Sequence, residues 1–457
     1  PTATDTALRR GAVICVHAAP RDVVPGEAGA VRILGLGSGA REHAIVAALH
    51  SERAHSIVTA PGNPGIATES EVIRLDVNNP SLVTDFAKDE NFDLVVIGPE
   101  APLVAGVADA LREAGIPVFG PSKAAAEIEG SKTFAKDVMS RAGVPTGGAR
   151  LAATLEEAAA AIDEFGAPYV VKADGLASGK GVMVTESRED ALIHAEHWLA
   201  AGPVLVEEFL DGQEVSQFVF SDGVNVRALP PAQDFKRLLA GDEGPNTGGM
   251  GAYTPVPFLN DRFGGERAFS KLIVDQVAKP VVDEMRAAGT PFAGLLYCGL
   301  IVTTAGIRVI EFNARFGDPE TQAVLERLDQ PLSELLYASA TGTLGHLPEE
   351  LAIADNAAVT IVLASEGYPE DVQSGRTISG VPDALAEPNV KVLQAATTER
   401  DDDTLVTSGG RILNVVGTGA TIAEARAFAY QGLSRIHIDG AQYRADIAEL
   451  AAREQQS

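Results

Sequence analysis

From Val31 onward, short apolar runs alternate with helix-length stretches, and that alternation sets the first expectation. Val31-Arg32-Ile33-Leu34 has the make-up of a strand. It is followed by the turn Gly35-Leu36-Gly37-Ser38-Gly39-Ala40 and a helix from Arg41 to about Leu49. Strand-like runs return at Ser56–Ala60, Val72–Leu75, Leu94–Ile97 and Val118–Phe119, each bounded by Gly, Pro or Asn, and helix-length stretches such as Pro102–Ala114 separate some of them. Strands alternating with helices predict an α/β protein that begins with a parallel, doubly wound sheet.

A second unit begins near Ser131. Leu155–Phe165, rich in Ala and Glu, reads as a helix. It leads into the strand Tyr169-Val170-Val171-Lys172, a glycine-rich loop, the strand Val182-Met183-Val184, a helix over about Asp190–Ala200 and the strand Val204-Leu205-Val206-Glu207-Glu208. This small α+β module lies between two parts of a larger one, which resumes in the strands Val215–Phe220, Leu295–Val302 and Arg308–Phe312. Ala357–Ala364 opens a last unit, containing Gly409-Gly410-Arg411-Ile412-Leu413 and a closing helix from about Ile422. The expected partition is a tail over 1–30, a Rossmann-like unit over 31–133, a two-part central region over 134–351 with a lid at about 151–215, and a small α+β unit over 352–457. In the tail, Arg9-Arg10 before a short apolar run faintly imitates a signal peptide, but Asp22 and Glu27 follow too soon. A disordered extension or an artefact of start-site choice is expected there.

Hydrophobic residues make up 46% of the chain and charged residues 22%, the balance of a globular protein. No apolar run approaches the roughly 20 residues of a membrane helix. The 63 acidic residues against 36 basic ones leave a net charge of −27. Such a surface repels nucleic acid and anionic membranes, so neither is an expected partner, and an anionic substrate needs a local cluster of Lys and Arg. Cys15 and Cys298, far apart, read as free thiols in a reducing cytoplasm.

Gly35-x-Gly37-x-x-Ala40, between a strand and a helix, fits the dinucleotide fingerprint. The next strand, however, runs from Ser56 into Pro61-Gly62-Asn63 without the acid that would hold a ribose, which argues against a nicotinamide cofactor. A structural turn or a cradle for another phosphate remains. Asp174-Gly175-Leu176-Ala177-Ser178-Gly179-Lys180-Gly181 is sharper. Its glycines permit a hairpin whose N–H groups wrap a polyphosphate, with Lys172 and Lys180 supplying charge, though its spacing is not that of a Walker A loop. Lys132 reads as a third phosphate contact or a surface lysine. Glu207, Glu208, Phe209 and Leu210, followed by Glu214, leave an apolar strand. They read either as a site for an adenine edge and ribose hydroxyls or as a solvated acidic turn.

The run Arg308-Val309-Ile310-Glu311-Phe312-Asn313 carries the most weight. Alternation along a strand puts Glu311 and Asn313 on one side, two oxygen donors together, and turns Phe312 into a core. Magnesium takes hard oxygen donors, few of them from protein when phosphates supply the rest. Arg315, on the exit loop, can bind a transferring phosphoryl group or a substrate carboxylate. Ala232-Gln233-Asp234-Phe235-Lys236-Arg237 and Gly244-Pro245-Asn246-Thr247-Gly248-Gly249-Met250-Gly251 read as binding loops, the alternative being flexible surface loops.

Taken in order, the glycine-rich loop, acidic hinge and Glu-x-Asn strand resemble the ATP-grasp superfamily. Five strings resemble one family within it, the phosphoribosylamine–glycine ligases. These are Gly37-Ser38-Gly39-Ala40-Arg41-Glu42-His43-Ala44, Gly98 to Leu103, Lys172 to Val182, Pro245 to Gly251 and Glu311 to Gln322. The likeness covers roughly residues 31 to 440. It implies that glycine is activated by ATP as glycyl phosphate and joined to 5-phosphoribosylamine, a step of purine biosynthesis, with magnesium (or manganese) required. It further implies that Lys132, Lys172, Gly179, Lys180 and Gly181 meet phosphates, Glu207 to Leu210 the adenine, and Glu214 the ribose. Arg237 and Asn246 would lie near the phosphates, Glu311 and Asn313 would bind the metal, and Asp234, Arg315 and Asp318 are the candidate catalytic residues. A cytoplasmic monomer is expected.

The chain departs from the family pattern at Ala40, where Gly is usual, at Phe235, where His is usual, and at Gln394-Ala395-Ala396 in place of a His-Ala-Gly-like run. The Phe235 change puts in doubt a proton-transfer role at that loop. Three rival readings are weaker. Biotin carboxylase-like relatives often bring an acidic ligand from the preceding strand, and Leu295 to Ile301 contains no acid. A non-catalytic nucleotide-binding regulator would not need a metal pair together with Arg315. A Rossmann oxidoreductase lacks its ribose acid.

Overall fold

The computed structural model describes residues 30–175 and 181–455. Gly179 and Lys180 of the expected phosphate loop, Cys15 and all of the expected tail except Ala30 lie outside them.

Short runs of Val, Ile and Leu bounded by turn residues form the first sheet. It has five strands, all parallel. Arg32–Gly37 lies at the centre between Ser56–Pro61 and Leu94–Ile97, with Glu71–Val72 and Val118–Phe119 at the edges. The strand order reverses at the centre, so the loops after Gly37 and Ile97 flank the crevice where α/β sheets present their ligands. The expected helix over 102–114 is two helices, Glu100–Ala105 and Val107–Glu113. Gly106, at φ 88°, takes the left-handed conformation that ends the first of them. The edge strand is shorter than its apolar run, because it pairs with its neighbour only through Glu71 and Val72.

The lid is an antiparallel four-stranded sheet in the order Ala149–Ala152, Val204–Glu207, Tyr169–Ala173, Val182–Thr185. Helices Leu155–Phe165 and Arg188–Leu199 pack on it, each opened by a hydroxyl cap: Thr154 accepts from the Glu157 N–H and Ser187 from the Asp190 N–H. Its core of Ala152, Ala158, Ile162, Val171, Ala191, Ala195, Val204 and Val206 is separate from the rest of the hydrophobic interior.

In the larger central sheet, Gln213–Asp222 pairs along its length with Ala293–Thr303, which pairs in turn with Gly306–Asn313. A bulge at Gly299–Leu300 sets Tyr297 opposite Asn313 and Gly299 opposite Glu311. The last sheet runs Gln233–Asp234, Gly251–Thr254, Ala357–Ala364, Arg411–Gly419, Val390–Gln394. One of its strands, Gln233–Asp234, thus lies in a stretch read as a binding loop, a second begins at the last residue of the other stretch, Gly251, and Arg237–Leu239 pairs with Glu243–Asn246 as a hairpin between them. These strands have few apolar residues, and Gly251–Thr254 finds its partner about a hundred residues away, which no local pattern reveals. Among the described residues, no helix is long and apolar enough to cross a membrane.

Two contacts tie these layers together under the candidate site. Phe119 from the first sheet, Phe220 from the central sheet and Phe316 from the exit loop form a cluster, with centroids 5.8 to 5.9 Å apart. His43, almost fully buried, accepts a hydrogen bond at Nδ1 from the Gln394 N–H (2.8 Å), joining the first helix to the last sheet. Burial pushes His43 down to about 4.

Phe316→Ala is expected to cost about 3–5 kcal/mol, as buried phenylalanine truncations do, and to lower the midpoint of urea unfolding. For His43, the folded pKa lies below the unfolded value, so the unfolded chain binds more protons between pH 6.5 and about 4. The stability this group contributes is therefore present above pH 6.5 and lost as pH falls through that window. His43→Asn, which keeps an acceptor and cannot charge, is expected to flatten the fall in melting temperature between about pH 7 and pH 5.

Candidate functional site

Alternation along the strand Gly306–Asn313 puts half-buried Glu311 and Asn313 on one face while Phe312 is buried on the other. Gly299 opposite Glu311 leaves room for the carboxylate: a Cβ there would lie 3.0 Å from Glu311 Cγ. Burial alone would raise the Glu311 carboxyl, but Lys236, Lys172, Lys132 and Arg315 outweigh it and hold it below the ordinary range. Asn313 Oδ1 accepts from Arg315 (3.4 Å). A charged carboxylate beside an amide oxygen is a hard-donor pair that suits a divalent cation. Among the described residues, no three His, Cys, Asp or Glu side chains converge as a protein-only metal cage.

Lys172 and Glu207 face each other across the lid sheet. Glu207 is buried and doubly paired, to Lys172 Nζ (2.6 Å) and Lys136 Nζ (3.0 Å). Its carboxyl, raised by burial, is brought below the ordinary range by those two lysines. Lys132 donates through Nζ to Gly175 O (3.1 Å) and through its backbone N–H to Asp174 (2.7 Å). Asp174 also accepts from Ser131 and Thr133, so the residue that opens the glycine loop caps the helix Lys132–Ala142. Burial lowers Lys132, with Glu311 as the largest opposing influence. The Gly181 carbonyl accepts from the Ala173 N–H (2.8 Å).

Beyond Glu207 the hinge turns outward. Glu208 is exposed and accepts from the Gly148 N–H (3.0 Å), Phe209 is 40% exposed, and Leu210 is half-buried. Glu214, at the start of the next strand, pairs with Lys236 (2.7 Å). Asp234 lies next to that pair. Burial pushes its carboxyl up to about 7, with Glu320, Glu214 and Glu311 adding to the rise and Lys236 opposing it. Arg237 and Asn246 are paired across the hairpin, and Arg237 donates to Gly244 O (2.7 Å). Phe235, in the place where the family pattern has His, lies under the Arg444 guanidinium at 4.8 Å.

Arg315 sits between two acids of the first unit, Glu129 (2.9 Å) and Glu100 (3.6 Å). Glu129 also accepts from the Ala314 N–H (2.8 Å), which fixes the exit loop. Asp318 is held by Arg411 (3.0 Å) and Gln322 (2.8 Å). Burial would raise its carboxyl, but Arg411, Arg41, Gln322 and Arg315 together lower it. Arg41 reaches this loop from the first helix, donating to Phe316 O (3.1 Å).

Ion pairs and charge interactions link Lys132, Lys172, Glu207, Glu214, Asp234, Glu311, Arg315 and Asp318 into one cluster. Glu208, Phe209 and Leu210 follow Glu207 in the chain, Gly181 bonds Ala173, and Arg237 and Asn246 pair in their own hairpin; among the described residues, no bond ties these to Glu311. Sequence reasoning missed Lys136 and Glu129, and gave no role to Glu320 and Arg411, which lay inside runs it had read. Lys136 had a signal, since it lies one helical turn after Lys132. Glu320 is buried and accepts from Ser216 Oγ (3.0 Å), itself bonded to Tyr297 (2.9 Å); nothing local marks that chain.

Profiles of known families match the chain in three consecutive pieces. They are the N domain of phosphoribosylglycinamide synthetase over residues 31–129, its ATP-grasp (A) domain over 130–321 and its C domain over 358–450. The phosphoribosylamine–glycine ligase of Leifsonia xyli is 61% identical over 92% of this chain and all of its own length, and that of Streptomyces coelicolor 54% over the same shares. The crystal structure of the Thermotoga maritima phosphoribosylamine–glycine ligase superposes with a TM-score of 0.76 at 33% identity, covering 92% of this chain and 100% of that one. The biotin carboxylase domain of Hydrogenobacter thermophilus 2-oxoglutarate carboxylase, at 17% identity and a TM-score of 0.67 over 90% of this chain and 91% of that one, shares the fold alone. The chain belongs to the phosphoribosylamine–glycine ligase family of ATP-grasp proteins.

Proposed function

We propose that the cluster around Glu311 is where the chain activates glycine with ATP and joins it to 5-phosphoribosylamine, giving glycinamide ribonucleotide, ADP and phosphate for purine biosynthesis. The observation that carries this reading is the Glu311 carboxylate, kept charged by four cations beside the Asn313 amide oxygen. Glu311 and Asn313 would hold the divalent cation, Mg²⁺ or Mn²⁺. Bound there, it would neutralise charge on the ATP phosphates.

The rest of the work belongs to the chain's own residues. Lys132, Lys172 and the 175–181 loop, with Gly179, Lys180 and Gly181, take the phosphates. The hinge Glu207 to Leu210 takes the adenine, with Phe209 exposed to stack and backbone groups to bond the base edge. Glu214 takes the ribose, and Arg237 and Asn246 lie near the phosphates. Arg315, clamped between Glu129 and Glu100, faces the glycine carboxylate and the transferring phosphoryl group, and Asp318 accepts from the glycine ammonium.

A glycine carboxylate oxygen attacks the γ-phosphorus, the bond to ADP breaks, and glycyl phosphate forms. The amine of 5-phosphoribosylamine then attacks the acyl carbon, phosphate leaves, and the new amide nitrogen sheds a proton. Asp234, near neutrality, is suited to receive that proton. Positioning and charge neutralisation supply the rate, since no covalent enzyme intermediate is required.

We infer a partition near 31–133, 134–351 and 352–457, to which the profile spans 31–129, 130–321 and 358–450 lend support, with a lid at about 151–215 that has its own sheet and core. We place this work in the cytoplasm, in a monomer whose partners are small molecules rather than nucleic acid or membrane.

The direct test supplies ATP, Mg²⁺, glycine and freshly made phosphoribosylamine and measures ADP release. Release is expected to require both glycine and the amine; release without either would refute the assignment. Glu311→Ala is expected to cut Mg²⁺-dependent turnover by at least about a hundredfold while circular dichroism and melting stay close to the parent. Near-parental rates would put the metal elsewhere.

A further inference from the structure

Three segments distant in sequence meet at one guanidinium. Arg411 opens the strand Arg411–Gly419 of the last sheet. One of its terminal nitrogens lies 3.0 Å from Asp318 Oδ2. The other donates to Asp318 O (2.9 Å) and Gly248 O (2.6 Å), with Gly249 O at 3.5 Å. The second carboxylate oxygen of Asp318 accepts from Gln322 Nε2 (2.8 Å), and Gln322 lies 3.5 Å from Asn414 on the same strand as Arg411. Gly249, at φ 108°, lies so close to Pro319 that a Cβ would collide with its ring. The Gly248 N–H donates to the Tyr368 hydroxyl (3.0 Å), a second tie to the C-terminal unit.

The geometry is that of an anchor. Asp318 lies on an irregular loop, which by itself would let the carboxylate swing. Arg411 starts a strand paired on both sides, so its own backbone is fixed. A planar guanidinium can serve a carboxylate oxygen and several carbonyls at once; a lysine ammonium is a point charge without that fork. Each carboxylate oxygen of Asp318 keeps a free lone pair after these bonds, so the group can still accept from a substrate. Asp318 also has Arg41, Arg315 and Glu100 facing it, from the first helix, the exit loop and the helix after Ile97. Among these, only Arg411 bonds both its carboxylate and its backbone.

We propose that Arg411 is a positioning residue for the glycine subsite: it fixes the Asp318 carboxylate and the Gly248–Gly249 turn where the glycine ammonium is received, so that the C-terminal unit takes part in glycine recognition. This rests on the reading of Asp318 given above.

The test compares Arg411→Gln, Arg411→Lys, Asp318→Asn and the double variant Arg411→Gln/Asp318→Asn, with steady-state kinetics in glycine and ATP and melting temperatures for each. Arg411→Gln is expected to raise KM for glycine about ten- to hundredfold, the size of a lost charge-assisted hydrogen bond, and KM for ATP by less than about twofold. Arg411→Lys is expected to recover part of that loss. If Arg411 acts through Asp318, the double variant binds glycine no worse than Asp318→Asn alone. Equal glycine KM values in Arg411→Gln and the parent, alongside a defective Asp318→Asn, would overturn the inference and leave the Asp318 reading standing. An unchanged glycine KM in Asp318→Asn would overturn both. Equal rises in KM for glycine and ATP in Arg411→Gln and Arg411→Lys would assign Arg411 a purely structural role.

Discussion

Everything at the site depends on how acids and cations are interleaved in a partly desolvated cluster. Glu311, Glu207, Asp234, Glu214 and Glu320 lie within electrostatic reach of Lys132, Lys136, Lys172, Lys236 and Arg315. In such a medium an unpaired charge is costly and a paired one is retained only if its partners are held in place. The interleaving is uneven. Around Glu311 and Glu207 the cations prevail and the carboxylates stay charged; around Asp234 burial and acids prevail, and a proton is held to about neutral pH. Two carboxylate environments with opposite tendencies, side by side, suit a reaction that needs fixed charge at phosphates and a proton acceptor at an amine.

That balance survives only if the segments carrying the charges are rigid relative to one another. Glu129 holds both Arg315 and the backbone beside it, Asp174 caps the helix that carries Lys132 and Lys136, and the Phe119–Phe220–Phe316 cluster lies beneath the exit loop. The lid differs in having its own small core built mostly of alanine and valine. Its internal packing does not depend on contacts with the rest of the interior.

Much of this was legible in the chain. The doubly wound sheet was readable in kind, and the lid helix Leu155–Phe165 and the strand Leu94–Ile97 with their boundaries, since strong periodicity and turn residues mark them. Glu311 and Asn313 were readable as a pair because strand alternation is a local rule. The 233–254 stretch was not readable as strands: its pairing partner lies far along the chain, and polar residues at the site replace the apolar ones that would have marked it. Arg411 and Glu320 stood inside runs read from the sequence, but nothing local assigned either a partner.

By itself, the sequence determined the layers, the family and the residue types of the site, because each of those rests on local periodicity or on contiguous strings. Only the tertiary structure decided which charge faces which. Glu207 lies against Lys136 and Lys172, Arg315 between Glu129 and Glu100, and Asp318 against Arg411, pairs separated by 35 to 215 residues. Electrostatic energy depends on distance in space and on burial, and neither is encoded at the position of a single residue.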